Sequence, residues 1–136
     1  MVKSELKRTR QYKRYRDNNF YITIPLSWCT RFNLSPTDLV VLCVVMNATK
    51  NATMKAYTGS IKGLCVCCNI SLPTARRSLE KLIEKGFVRK EYWTRDGKEW
   101  IAYTALSLVA GEMTMEEALE RNIATNQTFN NRRREV

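Results

Sequence analysis

The strongest constraint in this sequence is its punctuation between residues 60 and 97. Ser60 and Ser71 each stand directly before a run with helical spacing, where a serine hydroxyl accepts one of the N–H groups that a helix's first turn leaves unpaired. Between the two runs, Asn69-Ile70-Ser71 breaks the helical pattern with residues that favour turns. The second run carries Ala75, Leu79, Leu82 and Ile83 on one side and stops at Gly86, suited to the left-handed position just past a helix. Two stretches rich in β-formers follow, residues 87–93 and 99–106, and Asp96-Gly97 between them fits a tight hairpin turn. A chain cut in this way folds as a short helix, a turn, a second helix and an antiparallel hairpin.

Upstream, Ser35-Pro36-Thr37-Asp38 is an equally clear helix start, with a capping serine, a proline where its missing N–H costs nothing, and an acid in the first turn. It predicts a helix over residues 36–49, apolar nearly all round and therefore central to the core or packed on a second subunit. Residues 50–58 are polar and read as a loop, and residues 20–24 alternate up to Pro25 and read as a short strand. Thr114-Met115-Glu116-Glu117 is a further capping box, opening a helix to about Ile123.

The length of 136 residues fits one domain with tails, and 44% hydrophobic residues can supply its core. The formal charge of +10 points to a polyanionic partner. That charge is unevenly placed: +6 on residues 1–16, +1 on 17–58, +4 on 59–106 and −1 on 107–136. The first of these segments is an arm in which Tyr12 and Tyr15 are interleaved with Lys7, Arg8, Arg10, Lys13, Arg14 and Arg16. Its cations can neutralise phosphates while its tyrosines stack on bases; a solvated tail is the plainer reading. The Arg132-Arg133-Arg134 cluster is a weaker signal of the same kind.

The segment 60–88, SIKGLCVCCNISLPTARRSLEKLIEKGFV, resembles the winged helix-turn-helix regulators and replication initiators of bacteria, plasmids and phages. The shared pattern is a Ser-Ile-x-x-Leu opening, an Ile-Ser turn, a Thr/Ala-x-Arg helix and a Leu-x-x-Leu-x-x-Lys-Gly exit. The preceding helix and the hairpin extend the likeness to residues 35–106. It departs at Cys65-Val66-Cys67-Cys68, where such proteins often carry small or charged residues. The resemblance implies an α+β, mainly α fold: a three-helix core and β-hairpin wing over residues 20–106. A basic arm (1–19) precedes it, and a C-terminal helix with a polar tail (107–136) follows.

The resemblance also implies that the helix after Ser71 enters a DNA major groove. Helical spacing puts Thr74, Arg77 and Lys81 opposite the buried side, with Arg76 at the border. Arg77 suits a bidentate guanine contact, and Thr74 a thymine methyl or a phosphate. Ser60 and Ser71, at helix starts, suit phosphate. Arg95 and Lys98 at the wing tip reach the flanking groove or backbone, and Arg10, Lys13, Arg14 and Arg16 supply the arm's contacts. A solvated face laced by Glu80 and Glu84 is the alternative.

The partner expected is double-stranded DNA, bound by a homodimer, since two-fold sites are the habit of such domains. Dimer contacts are expected at the first helix, the 20–25 segment or the C-terminal helix. Transcriptional regulation is the leading reading. A replication or partition module, a protein-contacting winged helix and RNA binding by the arm remain open.

Histidine is absent, and there is no phosphate loop, spaced carboxylate pair or nucleophile with a base; no catalytic activity, cofactor, metal or small-molecule ligand is expected. Cys29, Cys43, Cys65, Cys67 and Cys68 read as core-packing thiols, with redox sensing at an exposed Cys67 or metal binding as alternatives. The longest apolar run, residues 39–46, is far short of the roughly 18–20 residues that span a bilayer, and the expected address is the cytoplasm.

Overall fold

The computed structural model describes residues 24–51, 55–106 and 113–135. In chain order the elements are α1 (Trp28–Arg31), α2 (Pro36–Asn51), α3 (Ile61–Cys68), α4 (Leu72–Lys85), β1 (Val88–Arg95), β2 (Lys98–Ala105) and α5 (Met115–Glu135). From α2 to α5 the order and the caps are those the punctuation predicts, while α1 is an element it does not signal.

α2 starts on a reciprocal capping box. The Ser35 backbone N–H donates to Asp38 Oδ2 at 2.8 Å, and the Asp38 N–H donates to Ser35 Oγ at 3.1 Å. Two orphan donors are thereby satisfied within one turn. Val41, Leu42, Val44, Val45 and Ala48 are then buried, so α2 is the central post of the core. Leu64, Leu79, Leu82, Phe87 and Val88 close around it. Trp28 and Phe32 lie against Phe87 at 5.4 and 5.1 Å between ring centres, which puts α1 over the start of the wing.

The wing is one antiparallel pair, with Val88 opposite Ala105 and Arg95 opposite Lys98. Asp96 and Gly97 both have positive φ, 52° and 77°, as a two-residue turn matched to the twist of the strands requires. Tyr57 and Tyr103 exchange backbone hydrogen bonds of 2.8 and 2.9 Å, giving β2 a short second neighbour opposite β1. Residues 50–58 are thus more than a loop: α2 runs on to Asn51, and Tyr57 joins the sheet. Of the expected 20–24 strand, residues 20–23 lie outside the described part, and Ile24 is not in a strand.

The C-terminal helix needs the larger correction, because α5 runs to Glu135 instead of ending near Ile123. Its buried positions are Ala118, Asn122, Asn126 and Phe129. Asn126 Oδ1 accepts from the Lys90 N–H at 2.8 Å, while its amide donates to Ile83 O (2.9 Å) and Val88 O (3.0 Å). Asn122 donates to Gly86 O at 2.8 Å. Two asparagines one turn apart therefore satisfy backbone groups where α4 leaves for β1, a junction that carries free carbonyls by construction. Tyr92 stacks on Phe129 at 4.5 Å, extending the same contact. Helix α5 is part of the domain, seated on the exit of α4 and on the wing.

Candidate nucleic-acid interface

The centre of the surface is the first half of α4. Ser71 is extended (φ −74°, ψ 158°), and its Oγ accepts from the Thr74 N–H at 3.4 Å. The Ser71 hydroxyl donates to Thr74 Oγ1 at 2.8 Å, and Arg77 Nη2 donates to that same oxygen at 3.5 Å. The second contact is at the limit of a hydrogen bond, so a guanidinium held this loosely is free to exchange it for a better acceptor. Arg76 and Arg77 are both exposed. Among the described residues the ion pairs are Arg31–Glu116, Lys81–Asp38 and Arg89–Glu91, so neither arginine is spent inside the protein.

Helix α3 offers a second capped start. Ser60 Oγ accepts from the Gly63 N–H at 3.0 Å. The fully buried Tyr57 fixes this cap from beneath, its hydroxyl donating to Ser60 O at 2.6 Å. A Cβ on Gly59 or Gly63 would meet that hydroxyl at 2.7 or 2.8 Å, and the absence of side chains there lets the phenol reach the cap. Lys62 is exposed in this first turn and was missed by the sequence reading. Its signal was available: a lysine beside a helix's positive end is unfavourable unless an anion is near.

Lys81 departs from the helical-wheel expectation. Its Nζ lies 3.0 Å from Asp38 Oδ2, and its side chain is 35% exposed against 5% for the aspartate. The solvent face of α4 is turned towards Arg76, Arg77, Glu80 and Glu84, leaving Lys81 on the flank that meets α2. Burial pushes the Asp38 carboxyl up, but the Ser35 N–H, Ser78 and Lys81 together hold it below its ordinary value. It stays ionised, and Lys81 is its counter-ion. Thr74 is half-buried on this same flank.

Lys98 is exposed at the wing tip. The Arg95 side chain, the arm residues Arg10, Lys13, Arg14 and Arg16, and the side chains of Arg132, Arg133 and Arg134 lie outside the described part. Cys67 is not the exposed thiol expected of it. All five cysteines are half-buried, and Cys67 and Cys68 pack on the core. Burial raises Cys67 to about 11, while burial with the neighbouring thiols raises Cys68 to about 12. Among the described residues no group of His, Cys, Asp or Glu could hold a metal ion, and no helix is long and apolar enough to cross a membrane.

Three packed helices, the last two joined by a tight turn and followed by a hairpin, make this a winged helix-turn-helix fold. Residues 33–88 match the family model of a helix-turn-helix domain. No curated relative matches the chain.

Proposed function

We propose that the protein is a sequence-specific double-stranded DNA-binding protein that acts without catalysis as a transcriptional regulator in the cytoplasm of a bacterium, or on a plasmid or phage. The supporting observation is the pair of exposed arginines, Arg76 and Arg77, unpaired in ion bridges on the capped first half of α4. A helix of about 10–12 Å diameter fits the major groove end-first. In this reading Arg77 takes a guanine edge, Thr74 and Ser71 take phosphate or a thymine methyl, and Ser60 with Lys62 takes the neighbouring phosphates. Lys98 and Arg95 follow the flanking backbone, and the arm adds further phosphate contacts. The protein binds as a homodimer, because one module of this size covers little DNA and a two-fold site doubles the contact.

Selection of binding sites from a random duplex pool tests this reading. A single enriched motif arranged as an inverted repeat supports a dimeric regulator. Directly iterated copies would move the assignment to replication or partition, and the absence of any enriched motif would reject sequence-specific duplex binding.

A further inference from the structure

Helix α4 is not uniformly basic on its solvent face. Glu80 is exposed and takes part in no ion pair among the described residues, although Arg76 lies one turn before it and Arg77 three residues before. At 100° per residue Glu80 projects between those two arginines, about 4.5 Å further along the axis than Arg77. A free carboxylate here opposes phosphate, so a DNA-facing helix should be weakened by it unless a base rewards it. In the major groove the cytosine N4 amino group is the donor a carboxylate can use. Adenine's amino group is less suitable, because the neighbouring N7 acceptor repels the second carboxylate oxygen.

We propose that Glu80 is a specificity-determining residue that accepts a hydrogen bond from a cytosine amino group, one or two base pairs from the guanine read by Arg77. This rests on α4 being the recognition helix. The acid makes α4 selective at the expense of general affinity, because without the cytosine its charge still opposes the phosphates of any duplex.

The experiment is duplex site selection with the full chain as wild type, Glu80→Ala, Glu80→Gln and Arg77→Ala, each first checked for an unchanged melting temperature. The wild type is expected to enrich a cytosine near a guanine. Glu80→Ala keeps the guanine and loses the cytosine preference by roughly 5- to 150-fold, while binding non-cognate duplex at least as well. Glu80→Gln shifts the preference towards adenine, whose N6 and N7 match a carboxamide. Identical motifs from wild type and both Glu80 variants would overturn the proposal while leaving the Arg77 reading intact. A wild type that enriches no duplex motif, or an Arg77→Ala motif with its guanine retained, would instead count against α4 as the reader and overturn both.

Discussion

Lys81 Nζ sits 3.0 Å from Asp38 Oδ2, joining the first turn of α2 to the second half of α4. The same carboxylate closes the α2 capping box through the Ser35 N–H. One buried acid thus starts the central helix and fixes the rotation of the helix that carries Arg76 and Arg77. Asp38→Ala is expected to lower unfolding stability by roughly 2–3 kcal/mol, the sum of a lost cap and a lost charge-assisted bond. Urea denaturation followed by circular dichroism measures it.

The same group sets an acid dependence. Its folded-state carboxyl is held below the ordinary value, so its stabilisation is fully present above about pH 5. It is lost as the pH falls below about 3.9 and through the lower folded value. Between pH 6 and pH 3 the wild type should lose more stability than Asp38→Asn, and parallel curves would contradict this.

The α4–β1 junction should be sensitive out of proportion to its polarity. Asn126→Ala removes three backbone contacts and is expected to cost roughly 2–3 kcal/mol. Gly86 has φ +88°, and a Cβ there would come within 2.3 Å of Leu119 O. Gly86→Ala should therefore cost at least about 2 kcal/mol, combining left-handed strain with a backbone clash. Thermal melts of both variants check this.

Thiol chemistry gives an independent check. With Cys67 near 11 and Cys68 near 12, little thiolate exists at pH 8, and alkylation depends on it. Both should react at least about tenfold more slowly in the native protein than in denaturant. Mass spectrometry after a timed iodoacetamide pulse reads the rates; equal rates would restore Cys67 as a candidate sensor.

How far the sequence spoke depended on which group satisfies each element. Ser35, Ser60, Ser71 and Asp96-Gly97 act on residues beside them, so α2, α3, α4 and the wing were legible locally. The second half of α5 was not. Its buried side is held by Asn122 and Asn126 bonding to a distant junction, and asparagines carry no apolar periodicity. Tyr57 was likewise hidden, since its place in the sheet depends on Tyr103. On the candidate surface the wheel placed Arg77 correctly and Lys81 wrongly, because it could not see that Asp38 waits on the facing helix.

The most direct test of the account is the affinity of wild type and Arg77→Ala for the selected duplex across a salt series. A wild-type slope of several units is expected, at about 0.9 per neutralised phosphate. Arg77→Ala should weaken specific binding by roughly tenfold or more, while binding to random duplex falls far less. Equal affinity and equal selectivity in the two proteins, with melting temperatures unchanged, would contradict it.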